Sequence, residues 1–265
     1  MEPDHRIQVE IATPHMVACG ISDPGRINLD NQDAILIDKD GNFMLLADGM
    51  GGHERGAEAS RTALDIIQSF LQPEVLVDKL RDITEVEGIP SKIVCFYALV
   101  GDAIDQANAS LYERNQQAKL ERYMGTTVVG LVPVDTEYMV WFHVGDSRLY
   151  RWRGTELKCL TTDHSVFSQW MQNGKQGPEP EKHIITRAIG PKTVTAGDIA
   201  YDGQQPADLY LLCSDGLTEM LTEADITQTI RNHDDVPEIA THLIQAAKDA
   251  GSKDNISVVV CRILK

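Results

Sequence analysis

Asp48, Asp146, Asp215 and Asp254 each stand at the edge of a short apolar run, over 43–47, 138–144, 209–213 and 256–260, and three of the four adjoin a glycine. If the runs are buried strands, each carboxylate emerges at a strand end, where side chains from distant parts of a chain can converge on a cation. A single Asp-Gly pair is most simply a tight turn, but a turn needs no apolar strand entering it, and here every aspartate has one. Carboxylates and backbone carbonyls select magnesium, manganese or calcium, whereas zinc and copper favour His and Cys, for which no ligand spacing is present. Carboxylates gathered in one place repel one another unless cations neutralise them, so the cluster implies two or more ions. Two ions about 4 Å apart can share a water, lower its pKa and aim it at a phosphoryl group. Hydrolysis of a phosphomonoester is the natural reaction, because the ions reverse the local sign for a dianionic substrate.

The elements that must hold these residues are legible from periodicity. Strands are expected over 16–22 and 34–47, the second folded at Asp40-Gly41. A helix over 54–71 follows from Ala63, Leu64, Ile67, Phe70 and Leu71 on one face. A second, over 91–119, follows from Ile93, Phe96, Val100, Ile104, Ala107 and Leu111. Hairpins pair 126–134 with 138–145 and 147–152 with 156–160. Residues 164–185, with Gly174, Gly177, Pro178 and Pro180 among polar neighbours, read as a mobile surface loop close to the site. A strand over 208–213, helices over 223–231 and 236–250, and a strand over 255–263 complete the chain. The class is α+β, with largely antiparallel sheets and helices packed outside them, in a single domain over 1–265.

Bulk properties narrow the partners. Forty acidic against 24 basic residues give a net charge of −16, which argues against nucleic acid or an anionic membrane. Five cysteines, odd in number and widely spaced, read as reduced core residues. No apolar stretch approaches the roughly 18 residues needed to span a bilayer, and the charged N-terminus lacks a signal-like core, so a cytoplasmic location is expected.

The ordered motifs Ala47-Asp48-Gly49-Met50-Gly51-Gly52-His53, Gly125-Thr126-Thr127, His143-Val144-Gly145-Asp146-Ser147-Arg148, Asp163-His164-Ser165, Thr186-Arg187-Ala188-Ile189-Gly190, Ser214-Asp215-Gly216-Leu217 and Asp254-Asn255-Ile256 resemble those of the metal-dependent protein phosphatases, type 2C, in their bacterial form. The resemblance covers nearly the whole chain. It implies a central sandwich of two antiparallel β-sheets flanked by helices, with a manganese or magnesium centre of two ions, and a possible third, at one end. It further implies hydrolysis of phosphoserine and phosphothreonine in a protein that opposes a serine/threonine kinase, and a monomer is expected.

Carried over residue by residue, the resemblance makes Asp48 the bridging carboxylate, Gly49 a ligand through its carbonyl, and Asp215 and Asp254 the remaining ligands of the pair. Asp146, with help from Asp215, resembles the ligand of the third, weaker ion, and Asp33 the acid that holds a water at the centre. The family usually has a phosphate-gripping arginine where this chain has Asn28. Arg26, two residues earlier, would share a strand face with it and is expected to substitute in part. His53 is a candidate substrate contact or proton donor, although some members place that histidine where Met50 stands. Arg187 is a candidate for substrate contact or ion pairing, and Arg148 for an ion pair that fixes the Asp146 motif. His143 reads as a buried strand residue and His164 as a structural hydrogen-bonder. Because of Asn28, a regulatory protein that binds phosphoproteins without turnover is an alternative reading, and a phosphatase of small metabolites is another.

Overall fold

A computed structural model of the chain describes residues 6–26, 30–51, 54–80, 86, 88–119 and 122–264. In chain order the elements are β1 (Ile7–Ala12), β2 (Met16–Asp23), β3 (Asp33–Ile37), β4 (Met44–Met50), α1 (Glu54–Phe70), α2 (Pro73–Leu80), α3 (Ser91–Gln117), β5 (Gly125–Thr126), β6 (Val128–Val134), β7 (Tyr138–Val144), β8 (Arg148–Arg153), β9 (Glu156–Cys159), α4 (Val166–Gln172), β10 (Asp198–Gly203), β11 (Leu209–Cys213), α5 (Asp215–Thr218), α6 (Glu223–Asn232), α7 (Val236–Asp249) and β12 (Ile256–Ile263).

The strands form two antiparallel sheets. One has the order β1-β2-β12-β11-β8-β9; the other runs β10-β7-β6-β4-β3, with β5 paired to β4. Strand alternation explains why they stack. On β4, Leu45 and Ala47 face α1 and α3, while Met44 and Leu46 face the opposite sheet. On β12, Val258 and Val260 face α7, while Val259 and Cys261 meet the residues of β4 and β6 between the sheets. A strand covered on both faces needs apolar residues at every position, which is why these segments read as continuous apolar runs. Each fully buried Leu or Val contributes about 1.5–3 kcal/mol, so the three-layered core holds both sheets firmly. The result is the expected α+β sandwich of two antiparallel sheets with helices on its outer faces.

All six residues of the stripe expected on the second helix are buried, in α3. Two asparagines on its inner side do further work. Asn108 donates to the carbonyls of Lys192 and Thr193 and accepts from the Gly190 amide; Asn115 donates to Met124 and Gly190 carbonyls and accepts from the Met124 amide. They fasten the 186–193 segment to the helical layer.

Several elements depart from the sequence reading. β1 and β10 are edge strands; β10, Asp-Ile-Ala-Tyr-Asp-Gly, carries too much polarity to stand out. α2 is short and buries none of its residues. The stretch read as a loop over 164–185 contains α4, capped by Ser165, whose hydroxyl accepts the Ser168 amide. The Val166 amide donates to Ile184 and the Thr186 amide to His164, which ties its two ends together. The turn between β3 and β4 spans 38–43 rather than two residues. The Asp38 carboxylate accepts both the Asp40 and Asn42 amides there, and Gly41 takes φ +79°.

Candidate metal centre

Five chain segments bring their carboxylates together at one end of the sandwich. Asp33 opens β3 directly opposite Asp48 near the end of β4. Asp146 lies in the turn from β7 to β8, Asp215 follows β11 at the start of α5, and Asp254 precedes β12. Asp33 and Asp48 therefore come from one sheet, Asp215 and Asp254 from the other, and Asp146 from the link between them.

Burial and mutual repulsion dominate the electrostatics. The Asp48 carboxyl is held well above the ordinary carboxylate range by burial and then by the charges of Asp33, Asp215, Asp254 and Asp146. Burial, followed by Asp146, Asp254 and Glu219, does the same to Asp215. Asp33 is pushed up to about 6 by burial, against the hydrogen bonds of Ser257 and Ser214. Burial and Asp163 raise Asp146 to about 6, partly opposed by Arg148. Asp215 Oδ1 is buried and has no hydrogen-bond partner. A buried carboxylate oxygen left bare beside other carboxylates is costly on its own and suits a divalent cation with oxygen ligands. The donor set fits manganese or magnesium.

A layer of uncharged groups fixes these side chains. The Asp48 peptide is clamped by Thr126 and Thr127: its amide donates to Thr127 Oγ1, and its carbonyl accepts Thr126 Oγ1 and the Thr127 amide. Asp33, 4 % exposed, accepts from Ser214 Oγ at 2.9 Å, and Ser214 Oγ accepts the Ser257 amide. Asn255 accepts the Gln32 amide and donates to the carbonyls of Pro24 and Asp30, joining the Asp254 turn to the segment before β3. None of these fixing roles was assigned from sequence, although Thr126, Thr127, Ser214 and Asn255 stand beside the aspartates in the motifs. Glu219 was also missed; it lies near enough to raise Asp215 and Asp146.

Gly216 explains one Asp-Gly pair. A Cβ there would collide with the Asn255 carbonyl. Gly216→Ala is expected to push apart the Asp215 and Asp254 turns, lowering the melting temperature by roughly 5 °C or more and weakening Mn2+ binding by calorimetry. Unchanged values for both would show that the two turns can separate freely.

The remaining residues are placed as follows. Arg148 grips Asp163 with two hydrogen bonds of 2.7 and 2.8 Å and also donates to Tyr150, behind the Asp146 turn. Arg26 is not on a strand. β2 ends at Asp23, Gly25 takes φ +78°, and the Arg26 guanidinium donates to Asp249 at the end of α7, so strand periodicity does not align it with residue 28. Arg187 is half-exposed and donates to Asp198 at 2.8 Å. Asn28 and His53 lie outside the described residues. His143 is buried on β7 with Nε2 against the Thr162 carbonyl at 2.9 Å. Its ring stacks on that of His164, centroid to centroid 4.4 Å.

The profile of the family described as "Protein phosphatase 2C" matches residues 26–257. Protein phosphatase PhpP of Streptococcus pneumoniae is 30% identical over 249 residues, covering 91% of this chain and 94% of its own. Among solved structures, the serine/threonine phosphatase Stp1 from Staphylococcus aureus superposes with a TM-score of 0.80 at 27% identity, with 100% of both chains covered. The catalytic domain of the serine/threonine protein phosphatase PstP, solved with two manganese ions, gives 0.76 at 28% identity over 95% of this chain and 99% of that one.

Proposed function

Because the chain belongs to the protein phosphatase 2C family, we propose that its metal-dependent serine/threonine phosphatase activity is carried by the carboxylate cluster at the end of the sandwich. The observation that carries the assignment is the bare, buried Asp215 Oδ1 in a group of carboxylates that raise one another's pKa.

In this reading Asp48, the Gly49 carbonyl, Asp215 and Asp254 would hold two ions of manganese or magnesium. Asp146, beside Asp215, would help to hold a third. Bound divalent ions supply positive charge for the phosphoryl oxygens and acidify water at neutral pH. Asp33 stands opposite Asp48 on the neighbouring strand and would orient a water at the centre. Arg26, Asn28 and Arg187 are assigned to the substrate side, with the ion pairs of Arg26 and Arg187 opening to admit a phosphoprotein. His53 is assigned to the leaving alcohol. No cysteine takes part, since none of the five is exposed.

Phosphoprotein substrates follow from relatives named protein phosphatases. A partner serine/threonine kinase, a monomeric state and a single phosphatase domain over 1–265 belong to the same proposal. No helix among the described residues is long and apolar enough to cross a membrane. The five unpaired cysteines fit a reducing cytoplasm.

The test is phosphate release from a phosphothreonine peptide. Turnover with MnCl2, its loss in excess EDTA and its survival of iodoacetamide are expected; robust turnover in EDTA would contradict the assignment.

A further inference from the structure

We propose that Lys248, in the last turn of α7, is a positioning residue for the metal centre: its ion pair with Asp23 holds the turn at 23–26 against the Asp254 peptide. It thereby sets both a metal ligand and the start of the segment that carries Arg26 and Asn28. The proposal deepens the proposed function and rests on its reading of Asp254 as a metal ligand.

Asp23 is the last residue of β2, paired in register with Ile256 of β12, and is 6 % exposed. A carboxylate this deep must be matched by charge and by hydrogen bonds. Lys248 Nζ donates to both of its oxygens, at 3.1 Å to Oδ1 and 2.9 Å to Oδ2, and the Gly25 amide donates to Oδ1 at 2.9 Å. The Gly25 contact bends the chain directly after the strand, with Gly25 at φ +78°. A Cβ on Gly25 would collide with the Asp254 carbonyl, so the turn lies directly against that peptide. Asn255 Nδ2 donates to the Pro24 carbonyl at 3.0 Å, and the Asp254 carboxylate accepts the Asn255 amide at 2.7 Å. The contacts thus run from Lys248 through Asp23 and Gly25 to Asp254.

The far end of the same segment is fastened to the strands: Asn31 Nδ2 donates to Ser22 Oγ at 2.7 Å, and Asn255 Oδ1 accepts the Gln32 amide at 2.9 Å. Lys248 ties the near end to a helix instead. The neighbouring pair of Arg26 with Asp249 is more than half-exposed at both side chains, so solvent screens it and it adds little. The Lys248 side chain is mostly covered, and a cation at a helix C-terminus is favoured by the helix dipole. Losing it would strand the Asp23 charge in a buried position, and breaking such a pair costs more than forming it gains.

Three variants separate positioning from bulk stability. Lys248→Met keeps the apolar stem and removes the ammonium. Lys248→Met combined with Asp23→Asn also removes the stranded charge, leaves an oxygen for the Gly25 amide, and so folds even where the single variant does not. Arg153→Met breaks a comparable pair, with buried Asp208, which precedes β11 at the end opposite Asp215. Calorimetric Mn2+ titration and exchange of the Gly25 amide in metal-free protein read the turn without reference to turnover. Lys248→Met and the double variant are both expected to bind Mn2+ roughly tenfold more weakly and to exchange the Gly25 amide roughly tenfold faster. At saturating Mn2+, their KM for a phosphothreonine peptide should rise about fivefold with kcat within about twofold of the parent, the pattern of lost binding rather than lost chemistry. Arg153→Met should lower the melting temperature by roughly 5 °C or more, yet keep its Mn2+ affinity within about twofold. Parent-like affinity in the double variant overturns the proposal, because Asp23 would then need only a matched charge. Equal loss of affinity in Arg153→Met does so too, by assigning the effect to general loosening of the fold. A parent isotherm unaffected by Asp254→Asn removes the premise and the proposal with it. Parent protein that binds Mn2+ but releases no phosphate defeats the proposed function alone, since affinity and amide exchange still decide this inference.

Discussion

Asp215→Asn is expected to abolish phosphate release while raising the melting temperature of the metal-free protein. The two effects share one cause. Asp215 brings a carboxyl into a buried cluster where Asp146, Asp254 and Glu219 all oppose its charge, and one of its oxygens has no partner. Without metal, a neutral amide of the same shape relieves that repulsion and can donate toward Asp48, a gain of about 1–2 kcal/mol. With metal, the same replacement removes an anionic ligand from a centre that provides the electrostatic driving force, and a fall of about 10³-fold or more in turnover follows. Melting curves in EDTA and in Mn2+, together with phosphate release, check both halves. Full activity in the variant would remove Asp215 from the ligand set. A lower melting temperature in EDTA would show that its charge is compensated within the protein.

The second large effect is on pH dependence. Asp33 and Asp146 titrate near 6 in the folded protein, against an ordinary carboxylate value of 3.8, and Asp48 and Asp215 are also raised. The metal-free fold therefore binds more protons than the unfolded chain between 3.8 and about 6. These groups stabilise it fully below that window, and the contribution is lost as pH rises through about 6. For one carboxyl carried that far, the contribution is about 3 kcal/mol. His143 and His164, held low mainly by burial, act in the opposite sense, since their neutral forms favour the fold as pH rises toward 6.5. They are common to metal-free and metal-loaded protein, so the difference between the two isolates the carboxylates. The melting-temperature increment produced by saturating Mn2+ is expected to be small at pH 5 and to grow to roughly 10 °C by pH 7.5. An increment that is constant or shrinks with pH would mean that the cluster does not exchange protons for metal.

Much of this arrangement was readable from residue order, and the limits of that reading have physical origins. Strands such as 138–144 and 256–263 are covered on both faces, so their apolar runs are long and their ends sharp, and the aspartates at those ends stand out. The inner stripe of α3 was legible for a similar reason, since one helical face is wholly enclosed. β10 lies at a sheet edge, α2 buries none of its residues, and α4 owes its start to one serine cap; none leaves a strong periodic trace. The position of Arg26 was misjudged because local alternation continues past the point where Gly25 turns the chain. The groups that fix the aspartates escaped for a different reason. Ser214, Ser257, Thr127 and Asn255 are small polar residues whose partners lie far away in sequence, as with Asp33 and Ser214, 181 positions apart.

The cluster draws carboxylates from both sheets and from the turn that joins them. Cations held there would act as a rivet through two plates that pack against each other through side chains such as Leu46 and Val259. Sliding of one plate over the other is then coupled to ion occupancy, and thermodynamic reciprocity makes the coupling run both ways. Whatever stiffens the seam between the plates tightens the grip on the ions, and ion loss loosens the whole laminate rather than one loop.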